Sequence, residues 1–155
     1  MDQQVWADAL ASEILRYGKE TGARVLSSIF FGGGTPSLME PSSVDAVLTA
    51  ARSVWNFAND IEITLEANPT SVEAHRFEGY AKLGVNRVSM GVQALNNGDL
   101  KKLGRLHTAE EARVAFGVAR KFFDRVSFDL IYARQNQTVA AWTEELAEAL
   151  DLAID

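Results

Sequence analysis

A glycine-rich segment and a few isolated polar residues are the parts of the sequence that could bind a small polar ligand. Positions 32–34 are glycines, followed by Thr35 and Pro36. Residues without side chains let backbone groups approach a ligand closely, and the threonine hydroxyl adds a hydrogen-bonding group. A glycine triplet also makes an ordinary tight turn, and neither a dinucleotide-binding fingerprint nor a P-loop lysine accompanies it. Taken alone, the segment favours the plain turn.

Three further polar residues, Glu66, Gln93 and Asp129, end or interrupt apolar runs. Glu66 precedes an Ala-Asn-Pro sequence, and its carboxylate could accept hydrogen bonds from an amine or a ribose. Gln93 follows Gly91, whose missing side chain leaves room for a planar ligand. Asp129 lies in an otherwise largely apolar run. Because burial of an unpaired carboxylate is costly, Asp129 is expected to have a partner.

Each of these polar residues also has a structural interpretation. Glu66 could satisfy loop amides or an arginine, and Gln93 could tether a loop. Asp129 could pair with Arg87 or Arg125 in a network inside the fold. For each residue alone, the sequence leaves the structural and the functional interpretation equally open.

Arg105 and the two histidines carry weaker signals. Arg105 faces either a ligand or solvent, and solvent is the ordinary outcome for an arginine. His75 and His107 are the only histidines, and neither has a second histidine or a cysteine at metal-ligand spacing. No nucleophile-elbow motif is present. The sequence therefore predicts no protein-built metal site and no catalytic residue, and it places His75 on a helix surface.

Composition and charge exclude several classes of function. The 155 residues are 47% hydrophobic and 23% charged, with a net charge of -6, which is typical of one globular domain. Basic residues form no run, so no nucleic-acid partner is predicted. No stretch approaches the ~20 apolar residues of a membrane span, and the polar start predicts a cytoplasmic protein. The absence of cysteine excludes disulfides and cysteine-held metal clusters on this chain.

The spacing of apolar residues predicts strands and helices that alternate regularly. Strands are predicted at residues 25–31, 61–65, 86–92 and 125–132. Helices are predicted at residues 6–17, 42–57, 71–83, 96–103, 108–123 and 139–154. Glycines 18 and 22 would end the first helix, and the predicted caps are Ser42 or Ser43, Ser71 and Thr108. The alternation indicates parallel βαβ units in an α/β fold.

Three of the predicted strands repeat one pattern, with apolar residues on one face and polar residues on the other. In the second strand, Ile61, Ile63 and Leu65 alternate with Glu62 and Thr64. Strands of a doubly wound sheet are covered on both faces, so a repeated polar face favours a barrel interior that is solvated or holds a polar ligand. The pattern predicts a (β/α) barrel or partial barrel, and an open sheet with one partly wet face is the alternative.

Four motifs at the ends of predicted strands resemble one family when they are taken together and in order. They are Gly32-Gly33-Gly34-Thr35-Pro36-Ser37, Leu65-Glu66-Ala67-Asn68-Pro69, Arg87-Val88-Ser89-Met90-Gly91-Val92-Gln93 and Asp129-Leu130-Ile131-Tyr132. The sequence resembles the oxygen-independent coproporphyrinogen III oxidases and their relatives, the HemW heme chaperones, which are radical S-adenosylmethionine (radical SAM) proteins. The resemblance covers residues 5–154 and implies a partial (β/α)6 barrel.

The resemblance also implies a set of cofactor-binding residues. Gly34 and Thr35 would contact the methionine part of SAM. The residues that would hold its remaining polar groups are Glu66, Gln93, Arg105 and Asp129. In such proteins a 4Fe-4S cluster, bound by a Cys-x3-Cys-x2-Cys loop, reduces SAM to a 5'-deoxyadenosyl radical. Because this chain has no cysteine, the cluster, and with it heme or porphyrin binding, is expected only in a full-length parent.

The missing cysteine loop leads to an expectation about domain organisation. Residues 1–155 would be the central part of a single radical SAM (β/α)6 barrel domain, truncated at both ends and without catalytic activity alone. The strand at residues 25–31 would then be an exposed edge. Exposed edges pair with other chains, so self-association is predicted.

Residues 133–138 depart from the family pattern, which usually has a Pro-Gly turn before Gln-Thr. Asn136 tolerates a left-handed conformation, so a looser turn is expected. The Ala-Arg pair here resembles the HemW branch more than the oxidases. The main hypothesis is therefore the SAM-binding core of a HemW-like protein, and a piece of a coproporphyrinogen III oxidase is one alternative. The other alternative is an inert, non-enzymatic α/β module whose polar interior is a salt-bridge network of Glu62, Arg87, Arg125 and Asp129.

Overall fold

The structure, a computed structural model, describes residues 2–153, in which helices and parallel strands alternate. The helices are α1 (Gln3–Thr21), α2 (Pro41–Val54), α3 (Ala74–Leu83), α4 (Asn97–Lys102), α5 (Ala109–Ala119) and α6 (Val139–Ala153). The strands are β1 (Val25–Phe31), β2 (Asn56–Ala67), β3 (Arg87–Gln93) and β4 (Arg125–Leu130). Two short 3-10 helices, Pro36–Leu38 and Pro69–Ser71, follow β1 and β2.

The four strands form one sheet in the order β1-β2-β3-β4, and every neighbouring pair is parallel. Strands that follow each other both in sequence and in space, with helices between them, have the connectivity of a (β/α) barrel. The predicted α/β class and partial barrel are therefore confirmed. Among residues 2–153, no helix combines the length and the apolar composition that a membrane crossing requires.

The two faces of the sheet differ as the alternation predicts. Ile63, Leu65, Val88 and Val92 are at most 2% exposed, and they pack with helix residues in the main hydrophobic core. Their polar neighbours along the strands point to the opposite face, where Glu62, Arg87 and Ser89 are half-buried and Thr64 is fully buried. Burial of the apolar face against helices is the main stabilising contribution to this fold.

The ends of α1 and α2 differ from the sequence prediction. Helix α1 continues through Gly18, because this glycine allows a close approach between helices: a Cβ there would lie 2.6 Å from the Cβ of Val54. Helix α2 begins at Pro41, which suits a first helical position because proline lacks an N–H. It ends at Val54, so residues 56 and 57 belong to β2.

The prediction that Ser71 opens the third helix is wrong. The Ser71 side chain instead takes part in a capping box with Asn68 in the short 3-10 helix after β2, and α3 begins at Ala74. The predicted cap at Thr108 is confirmed, since its hydroxyl accepts a hydrogen bond from the N–H of Glu111. Helix α5 ends at Ala119, four residues earlier than predicted.

Tyr80 of α3 holds the segment that follows the glycine triplet. Its side chain is fully buried, and its hydroxyl donates to the carbonyl of Ser37 at 3.2 Å and to that of Met39. Burial raises the pKa of Tyr80 to about 12, so the hydroxyl remains a donor at neutral pH. The tyrosine therefore links α3 to the chain just after β1.

We predict that Tyr80→Phe lowers the free energy of unfolding by about 1 to 3 kcal/mol, because the buried Ser37 carbonyl and the partly buried Met39 carbonyl lose the hydroxyl that they share. Urea unfolding of the wild type and the variant measures the difference. Tyr132→Phe is the matched control, since the Tyr132 side chain is largely exposed and should change stability little. Equal midpoints for wild type and Tyr80→Phe would contradict the prediction.

Candidate functional site

A cleft of about 300 Å³ opens at the carboxyl ends of the strands. All six residues that the sequence predicts for cofactor binding line it, together with six others. The lining residues are Gly34, Thr35, Pro36, Glu66, Ala67, Asn68, Ser89, Met90, Gly91, Gln93, Arg105 and Asp129. Parallel pairing produces this convergence, because it brings the carboxyl ends of all four strands to one edge of the sheet.

The glycine triplet makes a turn that also forms one wall of the cleft. Gly33 and Gly34 have φ angles of 83° and 60°, in the left-handed region that favours glycine. The backbone N–H of Gly33 donates to Oε2 of Glu66 at 3.2 Å. Thus Glu66 does satisfy a loop amide, as its structural interpretation proposes. Its Oε1 accepts no hydrogen bond among residues 2–153 and is available to a ligand.

Gln93 and Arg105 approach the cleft beside Gly91. Nη2 of Arg105 donates to the carbonyl oxygen of Gly91 at 3.2 Å, while its Nε is buried without a partner among the described residues. A Cβ on Gly91 would lie 3.7 Å from Nη2 of Arg105, which is an ordinary contact distance. Because Gly91 lines the cleft, a side chain larger than that of alanine would extend into it. Arg105 therefore faces the cleft and not open solvent.

Asp129 is exposed at the cleft, so the expectation that it must have a buried partner is wrong. Arg87 and Arg125 pair instead with Glu62, at 3.0 and 2.8 Å. A hydrogen bond from the Thr64 hydroxyl, and then the Arg87 guanidinium, hold the pKa of Glu62 below its ordinary value. This network lies toward the amino ends of the strands, and Asp129 is not part of it.

The cleft contains residues that the sequence analysis did not select. Asn68 and Ser89 line it, and both stand inside motifs that had been recognised at strand ends. Ser89 lies on the polar face of β3, so its alternation with Val88 and Met90 was the available signal. The buried ion pair of Arg134 and Glu145 is also absent from the sequence prediction. The two residues are distant in the sequence, and no alternation pattern connects them.

The radical SAM superfamily profile matches residues 7–150. The chain belongs to this superfamily. The predicted resemblance is thereby confirmed, and the four-stranded parallel sheet is the part of the radical SAM barrel that these residues form.

Curated relatives of this radical SAM chain include heme chaperones. HemW of Haemophilus influenzae is 40% identical over 144 residues, which are 92% of this chain and 38% of that protein. Radical S-adenosyl methionine domain-containing protein 1, a mitochondrial protein of Bos taurus, is 43% identical over 127 residues, or 81% of this chain and 29% of the relative. The chain therefore spans about a third of the length of these relatives.

A solved radical SAM structure has the same arrangement. The coproporphyrinogen III oxidase HemN of Escherichia coli superposes with a TM-score of 0.82 at 28% sequence identity, covering 97% of this chain and 35% of that one. This likeness supports the strand order. Sequence identity is higher with HemW than with HemN, which favours the HemW branch.

The histidines are not arranged to bind a metal. No group of three or more His, Cys, Asp or Glu side chains suited to a metal ion occurs among residues 2–153. His75 is exposed on α3, as predicted. His107 is 4% exposed beneath the segment that carries Arg105, and its Nε2 lies 3.1 Å from the carbonyl oxygen of Val92. Burial lowers the pKa of His107, although the bond to Val92 acts in the opposite direction.

We predict that His107 makes stability depend on pH. A lowered pKa in the folded state means that the unfolded state binds the proton more tightly, so stability falls as pH drops below about 6.5. His107→Gln, which keeps an N–H donor for Val92, should lose less stability between about pH 7.5 and 5.5 than the wild type does. Thermal unfolding at both pH values tests this, with the exposed His75→Gln as the matched control. Parallel losses in wild type and His107→Gln would contradict the prediction.

Proposed function

We propose that this chain forms the SAM-binding part of a HemW-like radical SAM protein. The observation that carries the proposal is the convergence of all six predicted residues on one cleft at the carboxyl edge of a radical SAM sheet. The volume of the cleft lies within the range of small-molecule sites. Membership in the family supports SAM as the ligand.

The chemistry of the cleft suits the polar groups of SAM. SAM carries an amine, a carboxylate, a sulfonium and ribose hydroxyls. Oε1 of Glu66 and the carboxylate of Asp129 are acceptors for the amine and the hydroxyls of SAM. Their negative charges also attract the positively charged sulfonium. Arg105 supplies a cation for the carboxylate, and its buried Nε lacks an acceptor among the described residues. Gly34 and Thr35 would contact the methionine part.

The residues present do not fit a 4Fe-4S cluster. The chain has no cysteine, and residues 2–153 contain no alternative ligand group. We therefore assign no electron transfer to these residues. We propose that a cluster, where the whole protein carries one, is held outside this chain, which agrees with its span of about a third of its relatives.

For the whole protein, we propose heme as the ligand, because the curated relatives with 40% identity include a protein named heme chaperone. The second candidate is the oxidation of a porphyrinogen, which the structural likeness to the coproporphyrinogen III oxidase supports at 28% identity. The cytoplasmic location predicted from the sequence stays a prediction, since similar proteins include ones named as mitochondrial.

Calorimetric titration of SAM into the purified chain tests the binding site. We predict measurable binding that Glu66→Ala and Gln93→Ala each weaken by roughly tenfold or more, as expected when a directed hydrogen bond of about 1.5 kcal/mol is lost. Gly91→Val should also weaken binding, because the backbone tolerates a Cβ there while the added methyl groups occupy the cleft.

Glu62→Gln is the matched control for Glu66→Ala, since it changes a carboxylate on the same strand that lies in the Arg87 and Arg125 network. We expect Glu62→Gln to alter the melting temperature and to leave SAM binding unchanged. If the wild-type chain melts cooperatively and binds no SAM, these residues do not suffice for the site. That outcome would favour the inert module.

We also propose that the chain self-associates through β1. This strand stands at one edge of the sheet and pairs only with β2 among the described residues. Light scattering over a range of concentrations should show species larger than the monomer, and Ser27→Lys, which places a charge on the exposed edge strand, should reduce them. A strictly monomeric species at high concentration would contradict this proposal.

A further inference from the structure

A buried ion pair lies behind the cleft, joining the turn after β4 to α6. The side chains of Arg134 and Glu145 are 5% and 7% exposed, and Nη2 of Arg134 contacts Oε2 of Glu145. The same nitrogen lies 3.1 Å from Oδ2 of Asp99 on α4. One guanidinium is therefore held by carboxylates from two helices. Removal of Arg134 would leave the buried Glu145 carboxylate without a compensating charge.

Besides a bond of 3.4 Å from Nε2 of Gln137 to Oε2 of Glu145, the pair makes hydrogen bonds to the backbone of Gln93, Leu95 and Ile131. Nη1 of Arg134 donates to the carbonyl oxygens of Gln93 at 3.3 Å and Ile131 at 2.9 Å. Oε1 of Glu145 accepts from the N–H of Leu95 at 2.8 Å. The N–H of Ile131 also donates to the Gln93 carbonyl, at 2.9 Å. The pair thus fixes the chain on both sides of residue 94.

The backbone of Gln93 needs such support. Its φ angle is 71°, in the left-handed region that costs free energy for a residue with a side chain. The pairing of β3 with β4 also shifts register between Met90 and Gln93, so the ladder is irregular just before Gln93 pairs with Leu130. Conformations of this kind persist only where surrounding contacts determine them.

The turn that carries Arg134 is closed by its own hydrogen bonds. Gln137 donates its backbone N–H to the Arg134 carbonyl at 3.0 Å, and its Oε1 accepts from the Arg134 N–H at 3.2 Å. Asn136 adopts a φ of 63°, as its residue type predicts. These bonds close the turn, so Arg134 projects from a defined backbone.

We infer that Arg134 and Glu145 are positioning residues that hold Gln93 in the conformation in which it lines the cleft. The inference rests on the proposed function, because it acts through a residue assigned to SAM binding. Neither side chain lines the cleft itself. Their effect on binding is therefore transmitted through the backbone at Gln93.

Amide hydrogen exchange of the ligand-free chain tests the positioning directly. We expect Arg134→Met to speed exchange at Ile131 and Leu95 relative to core amides of β2, because the loop opens locally. Arg76→Met is the matched control: Arg76 also has a mostly buried side chain, pairs with Glu40 and contacts the Leu38 carbonyl. It should not change exchange at Ile131 relative to β2. Unchanged relative exchange at Ile131 in Arg134→Met would overturn the inference.

A double-mutant cycle with Gln93→Ala tests the link to binding. We expect Arg134→Met to weaken SAM binding roughly tenfold in the wild-type background and less than about twofold in the Gln93→Ala background, since coupled residues are not additive. A merely structural role would give the same loss in both backgrounds, and that result would overturn the inference.

The experiments distinguish a failure of the proposed SAM binding from a failure of the inferred positioning of Gln93. If the wild-type chain binds no SAM, the proposed function fails, and the exchange measurement alone decides whether the pair positions Gln93. If Arg134→Met does not fold, the double variant Arg134→Met with Glu145→Met replaces it in both experiments. That variant removes the charges together and leaves no lone glutamate buried in the pair.

Discussion

Parallel pairing of the four strands is the constraint on which the site depends. It places every strand's carboxyl end at one edge, so that residues from positions 34 to 129 line the same cleft. Side-chain alternation then assigns each strand residue to a face. Because the apolar face is buried against helices, a slip of one residue would expose the core and remove the polar residues from the cleft. Core packing and site geometry are therefore fixed by the same register.

The polar face divides into two parts with different chemistry. Near the amino ends of the strands, Glu62 is neutralised by Arg87 and Arg125, and the charges satisfy each other. Near the carboxyl ends, the carboxylates of Glu66 and Asp129 line the cleft, and neither forms a salt bridge with another described residue. Polar groups that a fold leaves unpaired at a concave surface are those that a ligand can satisfy. The contrast supports a structural role for the first part and a binding role for the second.

The cleft also depends on backbone conformations that regular strands do not supply. Glycines provide the left-handed conformations after β1, where no side chain is needed. At Gln93 the left-handed residue carries a side chain, and a buried arginine and glutamate from elsewhere in the chain bond to the backbone at residues 93 and 95. The left-handed backbone conformation is therefore provided by glycine after β1, whereas at Gln93 it is stabilised by contacts with residues distant in the sequence.

The sequence by itself determined the α/β class, the order of the elements and the polar face, because these follow from periodicity. The six predicted cleft residues came from the resemblance to the radical SAM family. It did not determine the limits of α1 and α2 or the start of α3. Those limits depend on packing, such as the contact of Gly18 with Val54, and on the use of Ser71 in a different cap. The sequence also placed Glu62, Arg87 and Arg125 in one network, but only the tertiary structure decided that Asp129 lies outside it and that Arg134 bonds to the Gln93 carbonyl. Local sequence encodes which face a side chain takes, whereas the choice among several oppositely charged partners depends on distances that only the folded chain sets.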